Sequence, residues 1–453
     1  MFTSTQPPKT LPRLRGLPLL GSLIDLRRDR LALLRRLWGE CGPIGTFGLG
    51  PVEVVAVTDA ALAHQVFVEH GDSFIKSKAF GQFARPLLGN GLLTSNHDEH
   101  RRQRRLLSPA FAPRRTAAYA DLMVADTEAM ASAWPDRTEV DFADELMRLT
   151  LGIVGKTLFD TDLTSQAQHV NDALTDAMSY IVNATSSPVA QFIPYHWPLP
   201  SNNKMRHAVA RLDETIYGII KPRRADPTDH GDVLSMMMAA RDEDGSGLSD
   251  GELRDQAMTL VLAGHETTAN ALAWAHYLLC QQPAAYDRLI EEARTVLGGR
   301  SPTYQDLPQL PYALAVLKES MRLFPPAYIV SRAATRDLML AGTPIRKGTF
   351  VLVNIFGIHR RPDYFDHPDA FRPERFLPES EKLLPKGAFI PFGGGPRVCI
   401  GNHFALMEGQ LILSALAQRL RVERTRPADI IDGEPLVTLR PRGGLPVRIR
   451  RQS

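Results

Sequence analysis

The chain of 453 residues has little cysteine, and what it has is scattered. Cys41, Cys280 and Cys399 are too few and too far apart for a disulfide framework, which fits a reducing compartment. It also lacks a strong charge bias. A formal net charge of +3 at this length gives no nucleic-acid reading, although arginines gather at Arg101, Arg102, Arg104 and Arg105 and again at Arg114 and Arg115. Long apolar runs are missing as well. Pro7, Pro8, Pro12 and Pro18 interrupt the N-terminus, and its best run, Leu17–Leu20, is far below the roughly 20 residues that cross a membrane. Neither a signal peptide nor a membrane span is expected, and the chain reads as soluble and cytoplasmic. No composition break, internal repeat or low-complexity tract divides it. With 44% hydrophobic residues it is expected to form one domain over 1–453, with residues 1–20 as an extended lead-in.

One stretch near the C-terminus organises the rest: Phe392-Gly393-Gly394-Gly395-Pro396-Arg397-Val398-Cys399-Ile400-Gly401. An apolar pattern of helical period follows, from Phe404 to Leu420, so Cys399 sits on a loop at the mouth of a helix. Free backbone N–H groups and the positive end of the helix dipole favour a thiolate there. A lone soft ligand without a second Cys or His at chelating spacing argues against zinc, which takes four ligands. Haem needs a single strong axial ligand from the protein, and thiolate is one of the few used. Gly401 would let a porphyrin approach the backbone, and Arg397 has the charge to meet a propionate. The plainer reading is a structural cysteine beside a glycine turn.

This stretch resembles the haem-binding signature of the cytochromes P-450, Phe-x-x-Gly-x-Arg-x-Cys-x-Gly, at every specified position. The resemblance implies a mainly α fold with small β-sheets (α+β), with haem b, iron protoporphyrin IX, between a long distal helix and the proximal Cys399 loop. Phe392 and Gly401 would then belong to the cofactor site. Membrane-bound relatives in the family carry an N-terminal anchor; this chain is expected to be a soluble member without one.

Read in order, Pro12 to Gly21 is a proline- and glycine-punctuated lead-in and Leu31–Trp38 a short amphipathic helix. Ile44–Leu49 and Glu53–Val57 form a hairpin across Gly50-Pro51, and Asp59 caps a helix to about His70. The segment 74–94, broken by Gly81, Pro86, Gly89 and Gly91, reads as a long loop with short turns. A basic helix follows, on which His100 and Arg104 share a face. By resemblance these two bind haem propionates, a dianion that needs cationic partners once buried. Arg101, Arg102 and Arg105 would face outward, as a solvated surface or a docking site.

From Ala117 to Ile220 the pattern is mostly helical, with a break over 186–203 containing Pro188, Pro194, Pro198 and Pro200. The break resembles the mobile loop between the family's two roof helices. A methionine-rich helix after Asp232 ends at the acidic, glycine-rich turn Asp242–Gly247. Ser249-x-x-Glu252 then reads as a capping box opening a long apolar helix to about Leu279. In its middle stands Ala263-Gly264-His265-Glu266-Thr267-Thr268. Glycine, a buried acid and β-branched hydroxyls suit a helix centre poorly, and a Thr hydroxyl competes for the carbonyl four residues back, so a kink or opening is expected. The stretch matches the family's Ala/Gly-Gly-x-Asp/Glu-Thr-Thr/Ser motif, in which Thr267 hydrogen-bonds the activated oxygen and Glu266 relays protons. Ala263 would lie against the cofactor. A close helix–helix contact would explain Gly264, but not a buried carboxylate at 266. His265 occupies the motif's variable position.

Pro311 begins another helix, stopped by Pro325-Pro326, that places Glu319 and Arg322 on one face. Alone, such a pair is ordinarily a surface salt bridge. The downstream Phe371-Arg372-Pro373-Glu374-Arg375-Phe376 resembles the family's Pro-Glu-Arg-Phe element, which implies a buried structural triad of Glu319, Arg322 and Arg375. Arg332, in a strand-like segment after that helix, resembles the third propionate ligand. Asp337–Leu340, Thr349–Asn354, Val437–Leu439 and Pro446–Ile449 read as short strands.

The resemblance implies a haem-thiolate monooxygenase that activates dioxygen and hydroxylates or epoxidises a small molecule. Phe80, Phe83, Leu87, Ala263, Ala327 and Ile329 are the expected pocket residues. Their apolar character favours a lipophilic substrate such as a fatty acid, terpenoid, steroid or macrolide. Electrons would come from a separate ferredoxin or flavodoxin with its NAD(P)H reductase, because the chain has no room for a flavin or iron–sulfur domain and its cysteines cannot supply a cluster. A monomer is expected. Two other readings are a peroxide-driven haem-thiolate peroxygenase and a non-catalytic haem protein; neither needs an acid–alcohol pair at 266–267.

Overall fold

A computed structural model describes residues 11–452 apart from 188, 189, 191, 192, 227 and 244, so the start of the lead-in and Pro188 lie outside the described residues. The signals read from the sequence set most boundaries. Asp59 accepts from Leu62 N at 3.1 Å and opens Ala60–His64, which passes into one π-helical turn over Gln65–Glu69. The Ser249 and Glu252 side chains form a reciprocal capping box at the head of Asp250–Gln281, a helix of 32 residues that traverses the core. Pro311 sits at the start of Pro311–Leu323, and Gly401 immediately precedes Asn402–Arg419. The lead-in docks on the hairpin: Leu14 N donates to Thr46 O at 2.8 Å and Ser22 N to Gly48 O at 2.7 Å.

The architecture is mainly helical with small sheets. Around the long helix pack Phe142–Phe159, Ala167–Thr185, Pro200–Ala225, Pro283–Leu297, Pro311–Leu323 and Asn402–Arg419. A five-stranded sheet runs in the order Ile44–Leu49, Val52–Val57, Phe350–Val353, Val330–Ala334, Phe74–Lys76; the second and third strands are parallel and the other pairs antiparallel. Its last pair sets Lys76 opposite Arg332. A three-stranded sheet joins Glu139–Asp141, Pro446–Arg451 and Leu420–Arg424, and the hairpin Gly433–Pro435 with Leu439–Pro441 lies near the middle of the long helix.

One expectation fails. The segment 74–94 is not a long loop but a strand followed by an amphipathic helix, Lys78–Leu88. Ser77 Oγ caps it by accepting from Phe80 N at 3.2 Å, and Phe83, Ala84, Leu87 and Leu88 bury one face. That burial outweighs the cost of Gly81 and of Pro86 in the last turn, and Gly89, at φ +52°, closes the C-terminus. In the long helix the Thr267 hydroxyl bonds back to Ala263 O at 2.7 Å, as expected, within an element that is α-helical from Asp250 to Gln281.

Candidate active site

Around Cys399 the chain is held by glycines that have no substitute. Gly395 has φ +64°, and a Cβ there would lie 1.9 Å from Phe67 O, so the loop presses on the Gln65–Glu69 turn. Val398 N donates to Gly395 O and Cys399 N to Phe392 O, both at 3.0 Å, which fixes the cysteine's backbone, while Phe392 packs against the core. Gly401 differs. Its φ is −94°, and a Cβ would meet nothing nearer than Phe111 Cε1 at 3.9 Å. Nothing in the protein itself demands glycine there, which suits close approach of another group. Cys399 is accessible to solvent yet lies among protein atoms. Burial pushes its thiol up, opposed by the Gly401 N–H and the Arg104 charge; in the chain alone burial outweighs the helix-end effect.

Opposite runs the long helix. It is buried from Val261 to Asn270 except at Ala263, Gly264 and Thr267. Ala263 is exposed in the middle of a core helix, so this face borders an interior space. Gly264 has the packing role that its size suggests: a Cβ there would come within 3.0 Å of Val154 Cγ2 on Phe142–Phe159. Glu266 is 3% exposed; Thr438 Oγ1 donates to its Oε1 at 2.6 Å, and Oε2 has no partner. Burial pushes this carboxyl up to about 7, with the Thr438 hydroxyl and the Arg440 charge opposing. His265 turns away, Nδ1 donating to Val261 O at 2.6 Å and Nε2 facing the Asn171 amide at 3.2 Å; burial lowers it to about 4, so it is neutral.

Beside the cysteine loop five side chains of basic type cluster: Lys76, His100, Arg104, Arg332 and Arg397. Arg104 Nη1 donates to Val398 O at 2.6 Å and Arg397 Nη1 to Ser95 O at 2.7 Å, so two of them also tie the cysteine loop to the basic helix region. A cleft is lined by Phe67, Phe74, His100, Arg332 and Arg397, with Asp72 at its rim paired to Arg101 at 3.7 Å. Burial and neighbouring cations push Arg332 and Arg397 down to about 10, His100 to about 3, and Lys76 well below the lysine range; Arg104 is lowered by burial, with Cys399 opposing. No carboxylate is among the causes. Buried cations without counter-charge are costly, and the set fits a ligand that brings a dianion. A haem does so: its propionates would meet these groups, its iron the Cys399 sulfur, and its face the Gly401 backbone and Ala263. Lys76 is the member that sequence reasoning missed, because only the strand pairing reveals it as the neighbour of Arg332.

The fold, the cysteine loop and this donor set define a haem-thiolate protein, and comparison with known proteins agrees. The cytochrome P450 family model matches residues 11–446, and the chain belongs to the cytochrome P450 family. It is 39% identical to the cyclooctatin synthase of Streptomyces melanosporofaciens, over 94% of this chain and 92% of that protein. It is 36% identical to the cyclooctat-9-en-7-ol 5-monooxygenase of the same organism, over 90% and 88%. To the pentalenene oxygenase of Streptomyces avermitilis it is 33% identical, over 92% of each. The chain is thus an oxidoreductase of the monooxygenase type.

The other predicted residues fall as follows. Phe80, Ala327 and Ile329 are half-buried; Phe83 is buried edge-on to Tyr180, with ring centroids 6.4 Å apart. Leu87 is fully enclosed in the core and borders no accessible space. Glu319 and Arg322 are both wholly buried and joined by two bonds of 2.7 Å, unlike an ordinary surface pair. Arg322 also donates to the carbonyls of His359, Pro368 and Ala370. Arg375 stands 3.4 Å from Glu319 Oε1, but its hydrogen bonds go to Asp366 and His367. The route from this cluster toward the cysteine loop runs through His359, whose Nε2 accepts from Ile390 N at 2.9 Å. Arg102 does not face outward: it pairs with Asp242 at 2.6 Å and Glu252 at 2.7 Å, while Arg101 and Arg105 remain exposed.

One further group went unread. Glu408, on Asn402–Arg419, is wholly buried with neither oxygen hydrogen-bonded, since the nearby Thr268 hydroxyl turns to Gly264 O at 3.3 Å. Burial pushes it up to about 8, against the influence of Thr268. Among the described residues no group of three or more His, Cys, Asp or Glu is placed to hold a metal ion, and no helix is long and apolar enough to cross a membrane.

Proposed function

We propose that this chain hydroxylates or epoxidises a lipophilic terpenoid with dioxygen and electrons from a separate donor. Haem b, once bound, supplies the oxygen activation and C–H chemistry, and the chain's residues decide where and when it acts. Cys399 holds the iron; His100, Arg104, Arg332 and Arg397 hold the propionates, with Lys76 beside them. Ala263, Phe80, Phe83, Ala327 and Ile329 give an apolar wall that positions a hydrocarbon skeleton and excludes water. Glu266 holds a proton near neutrality, and Thr267, whose Oγ1 donates to Ala263 O at 2.7 Å, would present its hydroxyl on the accessible side of the helix. The observation that carries this reading is the buried Glu266 carboxyl, pushed up to about 7 by burial, next to the accessible Ala263 and the part-exposed Thr267 in the middle of the long helix.

The terpenoid class follows from the names of the three relatives together with the apolar lining. For electrons, a ferredoxin or flavodoxin with its NAD(P)H reductase would dock near Cys399, where Arg101 and Arg105 are exposed. The three free cysteines fit a reducing cytoplasm. The test has two parts. A panel of cyclic terpenes, fatty acids, steroids and macrolides is titrated while the low- to high-spin shift is followed. For any hit, product formed per nicotinamide consumed is then compared in the parent, Thr267→Ala and Glu266→Gln. Terpenes are expected to shift the spectrum most, and both variants to waste electrons as peroxide. Variants as tightly coupled as the parent would remove both residues from the mechanism.

A further inference from the structure

Glu266 is gripped by one oxygen only. Thr438 Oγ1 donates to Oε1 at 2.6 Å, and the same hydroxyl accepts from Asn270 Nδ2 at 3.2 Å. Because the amide supplies the donor, the hydroxyl proton is committed to the carboxyl. Thr438 stands in the turn between Gly433–Pro435 and Leu439–Pro441. Leu439 is pinned on both sides, its carbonyl accepting from Trp274 Nε1 at 3.0 Å and its N–H donating to Pro326 O at 3.0 Å. The hydroxyl is therefore fixed relative to the long helix. Oε2 is buried and makes no bond.

From these contacts we infer that Thr438 is a positioning residue for the proposed acid: it clamps Oε1, so that Oε2 alone exchanges a proton with the pocket. The clamp also stabilises the carboxylate left after a proton departs, until water returns one. Arg440 helps from the same hairpin. It is held by Glu434 Oε2 at 2.7 Å and by Thr175 Oγ1 at 3.2 Å on Ala167–Thr185, with Asp144 also in its field. Arg440 is the charged group that bears on Glu266; the adjacent His265 is neutral and turned toward Asn171. This inference rests on the reading of Glu266 as the acid.

The experiment follows the carboxyl stretch of Glu266 by infrared difference spectroscopy in the haem-loaded chain across a pH series, with Glu266→Gln identifying the band. Thr438→Val removes a bond to the charged form, so the midpoint is expected to rise by about one pH unit, a tenfold gain in proton affinity. Thr438→Ser should restore the parent value, which rescue of mere packing would not do. If the valine variant does not load haem, Asn270→Ala, which frees the hydroxyl to turn away, is expected to move the midpoint in the same direction by less. An unmoved midpoint in these variants, with Glu266→Gln still uncoupling turnover, overturns the role of Thr438 and leaves Glu266 in place. A Glu266→Gln that stays coupled overturns the acid itself.

Discussion

Two of the regions of this molecule that bury charge do it in opposite ways. At Glu319 and Arg322 a carboxylate meets a guanidinium in a two-bond fork, and the remaining guanidinium protons reach backbone carbonyls. That cluster is electrically complete. Around the Cys399 loop, Lys76, His100, Arg104, Arg332 and Arg397 press on one another, and each is pushed toward its neutral form or held below its usual range. That cluster is incomplete without an anion. The contrast separates charges that fix a fold from charges that receive a ligand: the former arrive with partners, the latter without.

Breaking the complete cluster should do the most damage. Arg322→Ala leaves Glu319 buried without its main partner, a loss of about 3–5 kcal/mol; urea unfolding of the haem-loaded chain should show it as a large drop in midpoint. Arg332→Ala should give the opposite signature. Removing one of several repelling cations should leave the haem-free chain no less stable, while haem passes to an acceptor protein on the order of 10–100 times faster, as loss of a charge-assisted hydrogen bond implies. Equal destabilisation of the haem-free chain by both substitutions would erase the distinction.

The buried acids extend the comparison to pH. Glu408, with a folded value of about 8 against 4.5 unfolded, contributes stability that is intact below about 4.5 and is lost as pH rises through about 8. The melting temperature of the parent should therefore fall relative to Glu408→Gln between these limits, and the gap should flatten above them. A constant difference across the series would mean that Glu408 is not held neutral. The smallest effect belongs to the surface. Arg101→Glu with Arg105→Glu should slow reduction by an acidic donor severalfold at low salt, with the difference vanishing as screening grows. Arg102→Glu should cost more stability than Arg105→Glu, because Arg102 is the less exposed of the two arginines that share Asp242 and also holds Glu252.

Motifs whose meaning is local were legible in the sequence. The cysteine loop, the capping box at Ser249 and Glu252, and the Ala263–Thr268 stretch follow from neighbours within a turn or two of helix. The fold class followed from them by family resemblance. What escaped depends on long-range pairing. Lys76 is a surface-type residue until its strand meets Arg332; Thr438 is one hydroxyl in a turn until the hairpin meets Glu266; His359 bridges the fork to the cysteine loop only once three segments come together. The helix Lys78–Leu88 was hidden because glycine and proline signal a loop locally, and the packing that overrules them is tertiary. Arg102 looked free for the same reason, since the two acids it hydrogen-bonds lie more than a hundred residues away.

The central claim is that Cys399 carries the metal and the cation set carries the cofactor's acid groups, two tasks that separate variants should split. The direct measurement is the absorption of the ferrous protein with carbon monoxide in the parent, Cys399→Ser and Arg332→Ala, each reconstituted with haem. The parent and Arg332→Ala should absorb at the position diagnostic of thiolate ligation, the latter with less haem retained, and Cys399→Ser should lose that band while still binding haem. A thiolate band that survives in Cys399→Ser would contradict the account.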